Sequence, residues 1–279
     1  MSSLLAHDEY FNVNRSLCGL IETFRFNLHK KPVSLLGLLR YKSPAKLCAR
    51  NLVLLNEASM RRGESIEASL QHVIFFPDKT ESNYATIVAL HGRGADAYDL
   101  LPLVESLGFD DLLVIAPRAP RLFEFGGGYA WYDLSEEGVP DPPSFNESLQ
   151  LLREFLVEIR KSYPMNPNKL ILLGFSQGTV MSYAAGLLDP THVRGIVALS
   201  GYIPSKSNLQ FEMDKLSGLP VFISHGAYDE LIPLKLGLES AELLRGAGAN
   251  VTFREYAMGH QVTEDTLRDL SSWLRDVLS

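Results

Sequence analysis

The stretch Gly174-Phe175-Ser176-Gln177-Gly178 constrains this chain more than any other. An apolar run, residues 170–175, leads into it, and a helix-compatible run, residues 180–188, follows. A strand ending there must reverse within about one residue before the helix starts. The reversal forces Ser176 to a positive φ, which costs a non-glycine residue on the order of 1–3 kcal/mol. The flanking glycines have no Cβ, so neighbouring backbone can pass close by. The hydroxyl is pushed out at the carboxyl end of a sheet, above a helix N-terminus, where a nucleophile belongs. An ordinary serine in a surface turn would lack the strand before it and the helix after it.

The rest of the chain supplies the sheet. Residues 73–76, 85–90, 112–116, 195–199 and 221–225 are apolar runs, and residues 251–256 alternate. Runs as continuous as 85–90 and 112–116 suit strands buried on both faces. Between them fall stretches at helical spacing: residues 100–107, a run after Ser144-Phe145-Asn146-Glu147, and residues 236–245. Ser144 and Glu147 match a capping box. A last helix turns Leu267, Leu270, Leu274 and Val277 inward. Strands alternating with helices predict an α/β protein with a mostly parallel, doubly wound sheet and helices on both faces.

Charge divides the chain unevenly. Residues 1–59 carry eight Lys/Arg against four Asp/Glu, whereas the remainder carries 18 against 29. The net charge of −7 argues against a nucleic-acid partner. Cys18 and Cys48 are the only cysteines, so no disulfide framework is expected and a reducing, cytoplasmic setting fits. Residues 1–66 read as an extension of unknown role, with residues 67–279 as the catalytic domain. Within the extension, residues 10–26 show helical spacing, and the apolar run 33–39 is too short to span a bilayer. This extension is the one part from which membrane association or a homodimer contact could come.

A serine hydroxyl needs a base within hydrogen-bond reach, and the base needs an orienting acid. In a hydrolase sheet these follow the serine in the order acid, then histidine. Asp229 stands just past the strand ending at His225, and His260 just past the strand ending at Tyr256. Both lie where loops leave the carboxyl edge of the sheet. Glu230 is the rival acid and His225 the rival base, though His225 reads better as a packing or hydrogen-bonding residue. No two histidines show metal-ligand spacing, so neither a metal nor another cofactor is expected. The oxyanion produced by attack would be met by the backbone N–H of Gln177 and by that of Arg93, in the turn His91-Gly92-Arg93-Gly94.

Residues 118–143 show neither helical nor strand period, and a loop that long is commonly a functional lid. Its Phe123, Phe125, Tyr129 and Trp131, together with Tyr132, are candidates to line an apolar substrate pocket, or else they pack the loop itself. The triglycine 126–128 lacks the Lys and Ser/Thr of a phosphate loop. The chain between Gly201 and Leu219 is too short for a large cap domain.

Taken together, Leu90-His91-Gly92-Arg93-Gly94-Ala95-Asp96, Pro117-Arg118-Ala119-Pro120, Trp131-Tyr132-Asp133, the Ser176 pentapeptide, His225-Gly226 with Asp229, and Gly259-His260 resemble the carboxylesterase and acyl-protein thioesterase family. The resemblance runs from about residue 70 to 279. It implies an α/β-hydrolase fold and a small-molecule ester substrate. Arg93 stands where thioesterases of the family commonly carry leucine. The expectation is a serine carboxylesterase acting on small to medium esters. The alternatives are an acyl-protein thioesterase or lysophospholipase and, from another class, a non-catalytic ligand-binding protein of hydrolase fold.

Overall fold

The computed structural model describes residues 60–279, apart from residues 80, 82, 125, 136–138 and 206. Chain contacts divide into two units, Met1–Glu57 and Ala58–Ser279, and the second is described here. The readings made for residues 10–26 and 33–39, and the pocket role of Phe125, lie outside the described residues.

The described residues form ten strands: β1 (Met60–Arg62), β2 (His72–Pro77), β3 (Tyr84–Leu90), β4 (Leu112–Pro117), β5 (Arg121–Leu122), β6 (Tyr129–Ala130), β7 (Met165–Phe175), β8 (Gly195–Leu199), β9 (Pro220–Gly226) and β10 (Asn250–Tyr256). The helices are α1 (Leu101–Ser106), α2 (Pro142–Ser162), α3 (Gln177–Leu188), α4 (Leu234–Gly246) and α5 (Glu264–Leu278). Eight strands make one sheet in the order β1-β2-β4-β3-β7-β8-β9-β10. β1 and β2 run antiparallel to their neighbours, and every pairing from β4 to β10 is parallel. The sheet already includes Met60–Arg62, upstream of the first strand legible in the sequence.

Strand periodicity decides which side chain meets which layer. In β3, Val88 and Leu90 join Phe145, Leu152, Phe155, Val180 and Ala184 of α2 and α3. Ile87 and Ala89 face the other way, onto Val104 of α1 and Leu270 and Leu274 of α5. Such runs read as unbroken apolar sequence because both faces are covered. A third cluster seats Ala241 and Leu244 of α4 against Ile196, Val221 and Ile223. Each large side chain buried this way contributes about 1.5–3 kcal/mol.

Two local expectations are corrected. Helix α2 is capped not by Ser144 but by Asp141, whose carboxylate accepts the Ser144 N–H at 3.1 Å. Proline at the first helical position supplies a preset φ and needs no N–H partner, so the helix starts earlier than the serine. The loop 118–143 contains a two-stranded ladder, β5 against β6, with Arg121 opposite Ala130 and Leu122 opposite Tyr129. Strands of two residues are too short to show a period. No cap domain interrupts the described chain between β8 and β9. Among the described residues no helix is long and apolar enough to cross a membrane.

Candidate active site

The last rungs of the central ladders set the site. Leu90 pairs with Gly174, Phe175 with Leu199, and Leu199 with Ser224. At that edge Ser176 adopts φ 55° and ψ −118° and becomes the cap of α3. The Ser176 N–H still bonds Leu199 O at 2.9 Å, so the strand holds the serine up to the turn. The strain is tolerated because the two glycines let backbone interlock. A Cβ on Gly174 would strike the Gly178 carbonyl group, and one on Gly178 would strike the Leu90 carbonyl. Thr179 fastens the elbow from below, its hydroxyl lying 2.7 Å from both Gly174 O and Leu199 O.

Asp229 and His260 leave the ends of the next two strands. His260 Nδ1 is 2.8 Å from Asp229 Oδ2, and the two side chains are 7% and 0% exposed. Burial alone would push the Asp229 carboxyl up. The hydrogen bond and charge of His260, with the Ile232 N–H and His225, outweigh it and hold the carboxyl below its ordinary value. A carboxylate can only accept, so Nδ1 carries a proton, and in the neutral imidazole the lone pair falls on Nε2. The other carboxylate oxygen accepts the N–H groups of Leu231 and Ile232 at 3.0 and 2.8 Å. The imidazole packs on Phe175, the residue before Ser176, with ring centroids 4.9 Å apart. Glu230, the rival acid, is exposed. His225, the rival base, is fully buried and bonds Ile232 O at 2.7 Å through Nε2. It therefore shores up the loop that carries Asp229.

The turn after β3 lies against the elbow. A Cβ built on Gly92 would stand 3.6 Å from Ser176 Cβ. Among the described residues the Arg93 N–H bonds no protein acceptor, whereas Gly94 N–H is taken by Tyr129 O at 2.8 Å. The Gln177 N–H, at the first position of α3, has no partner within the helix. Two donors are thus left open beside one serine.

Side chains that the sequence left without a role hold these donors in place. His91 Nε2 accepts the Ala119 N–H at 3.0 Å, so Nδ1 must carry the proton it gives to Gly92 O at 2.7 Å. Burial pushes this imidazole down to about 4, which keeps it neutral. Gln177 reaches across to the aromatic loop: Oε1 accepts the Trp131 N–H at 3.0 Å and Nε2 donates to Tyr132 O at 2.9 Å. Trp131 Nε1 in turn donates to His91 O at 2.9 Å. The ring of Trp131 is 0% exposed, so it supports the turn from beneath and does not line a pocket. Tyr132 is buried as well. Tyr129 is half-buried with the Arg118 guanidinium 4.2 Å from its ring centroid, and Phe123 lies under Arg93 at 4.6 Å. One sequence signal pointed at this network: a glutamine between the nucleophile and a glycine, where a small residue would do for a backbone donor.

The phospholipase/carboxylesterase family pattern matches residues 72–278. The acyl-protein thioesterase 1 of Candida albicans is 30% identical over 224 residues, covering 74% of this chain and 97% of that protein. The crystal structure of the Bacillus cereus carboxylesterase is similar at TM-score 0.65 and 27% identity, covering 81% of this chain and 99% of that one. A Mesorhizobium loti carboxylesterase shares the fold at TM-score 0.67 and 21% identity, covering 77% of this chain and 98% of that one. With its sheet, its elbow and a family pattern spanning most of its length, the chain belongs to the phospholipase/carboxylesterase family of α/β-hydrolases.

Proposed function

We propose that this chain is a serine carboxylesterase that cleaves small to medium carboxylic esters through an acyl-enzyme on Ser176. The observation that carries the reading is the buried His260–Asp229 pair at 2.8 Å, with the imidazole packed on Phe175, the neighbour of a serine held at positive φ. Ser176 Oγ attacks the ester carbonyl while His260 Nε2 takes its proton. Asp229 fixes the tautomer and stabilises the imidazolium. The N–H groups of Gln177 and Arg93 receive the oxyanion, an interaction that typically accounts for about 10²–10³ in turnover per donor. His260 then protonates the departing alcohol. Water repeats the attack on the acyl-enzyme, with His260 again as base, and releases the acid.

Short esters are favoured because the described chain between β8 and β9 carries no cap domain. The name carried by the Candida relative supports a second reading, a thioesterase of acylated proteins. The same machinery would serve it with a thiol as leaving group. A fluorophosphonate probe tests the nucleophile, and a panel of esters and thioesters of graded chain length separates the two substrates. Labelling that survives Ser176→Ala would overturn the assignment. A protein that hydrolyses nothing in the panel would point to the ligand-binding alternative.

A further inference from the structure

We propose that the Arg93 side chain is an anion-recognition element of the active site, selecting esters that carry a carboxylate or phosphate a few bonds from the scissile carbonyl. The inference rests on the serine esterase reading above.

Arg93 directly follows Gly92, which abuts Ser176. Its guanidinium stands over the Phe123 ring, 4.6 Å from the centroid. That ring is placed by the hairpin, where the Phe123 N–H bonds Gly128 O at 3.0 Å. The Arg93 charge also reaches the hydroxyl of the buried Tyr132. Its Nε is buried and has no hydrogen-bond partner. Leaving such a donor unmet costs about 1–3 kcal/mol.

The missing partner is an acceptor. Among the described residues no carboxylate lies within ion-pair reach of Arg93. Arg121, on the same hairpin, also has a buried Nε without a partner, but its terminal nitrogens are matched by Asp133 at 2.7 Å and Glu147 at 3.2 Å. Asp96, the acidic residue closest to Arg93 in sequence, is turned to the Tyr98 N–H at 2.7 Å. Arg93 is thus a cation held in place by a ring, partly desolvated and uncompensated, in a chain whose net charge is −7. A guanidinium presents a planar fork that fits a carboxylate or a phosphate through two parallel hydrogen bonds. Its own backbone N–H is the proposed oxyanion donor. One residue would then grip the reacting carbonyl by its main chain and a neighbouring anion by its side chain. The anion takes no part in bond making; it orients the ester, and the pairing strengthens where water is excluded.

The test compares kcat/KM on two matched pairs, using the full chain. One pair places a carboxylate on the acyl side: 4-nitrophenyl hemiglutarate against 4-nitrophenyl hexanoate, each corrected for spontaneous hydrolysis. The other places a phosphate on the alcohol side: 1-butyrylglycerol 3-phosphate against 1-butyrylglycerol. The expected result is a preference of about tenfold for the anionic member of one pair at low salt, shrinking at high salt as screening grows. The pair that shows it identifies the anion. Arg93→Leu should erase the ratio, and Arg93→Lys should keep part of it. Reading a ratio cancels any general loss from disturbing the turn. If Arg93→Leu does not fold, the wild-type ratio, its salt dependence and Arg93→Lys still decide. Equal rates within both pairs, with ester hydrolysis intact, would overturn this inference and leave the esterase reading standing. No hydrolysis of any of the four, with no probe label on Ser176, would overturn both.

Discussion

Replacing Gln177 by alanine separates what its side chain does from what its backbone does. The backbone N–H, the proposed oxyanion donor, survives in Gln177→Ala. What disappears is the amide that joins α3 to the aromatic loop, at 3.0 Å to the Trp131 N–H and 2.9 Å to Tyr132 O. Gln177 is only 5% exposed, so water does not replace the lost partners without opening the site. Two buried backbone groups left unmet cost about 1–3 kcal/mol each, or about 2–6 kcal/mol together. For a unit of this size each kcal/mol lowers Tm by roughly 2–4 °C, so a fall of about 10 °C is expected. Activity should fall too, by about tenfold in kcat with little change in KM. The donor is still present but no longer aimed, so the loss stays short of the full 10²–10³ for a missing donor. Thermal unfolding with steady-state kinetics on a 4-nitrophenyl ester measures both. Gln177→Glu is the control, since it keeps the acceptor for Trp131 and sets a carboxylate against the Tyr132 carbonyl. It should be at least as damaging. A Gln177→Ala protein with wild-type Tm and kcat would refute the view that this amide holds the oxyanion site.

Ser176→Ala should abolish hydrolysis and probe labelling while leaving the unfolding transition in place, as mass spectrometry and calorimetry would show. Asp229→Asn should lower kcat by roughly 10⁴, because an amide can present its N–H to His260 Nδ1 and shift the proton onto Nε2. Glu230→Gln should change kcat little, and the reverse pattern would move the acid to Glu230. His91 sets an acid limit on stability. Its folded value of about 4 lies below the ordinary 6.5, so between those pH values the unfolded chain binds a proton that the fold refuses. Stability is therefore full above pH 6.5 and falls as pH drops toward 4, by about 3 kcal/mol at roughly 1.4 kcal/mol per unit. Burial of His72 acts in the same direction. Urea unfolding across that range checks the slope, and His91→Asn should flatten it. A chain beginning at Met60, the first described residue of the sheet, should keep kcat/KM on short esters; a folded truncation without activity would place the first segment at the site.

What could be read from the sequence was whatever backbone topology controls. The elbow announces itself because a strand, a strained residue and a helix must occur in that order, and only glycine suits both flanks. Asp229 and His260 were legible because each follows the end of a strand, and the sheet brings strand ends together whatever lies between them. Asp229 was preferred to its neighbour Glu230 in the sequence, but adjacent loop residues differ in which way they point, and it is the 2.8 Å contact with His260 that separates them. Trp131 failed for another reason. An aromatic ring in a loop has the same composition whether it faces a substrate or a buried turn, and its indole N–H to His91 O decides the matter only in three dimensions. The cap of α2 was misplaced because Ser144 and Glu147 imitate a capping box, while Asp141 stands in front of two prolines.

The interlock of Gly178 with the Leu90 carbonyl also bears on how the chain reaches its native state. The site is stitched from pieces far apart along the chain: Gln177 to Trp131, 46 residues; Trp131 to His91, 40; His260 to Asp229, 31. None of these ties can form until the parallel strands between them are in register, and closing such long loops is slow. Helices and hairpins can appear early, but a competent serine exists only when the last rung has closed. Catalysis is therefore a late-stage reporter of folding: on refolding, regained turnover should trail the recovery of helical signal.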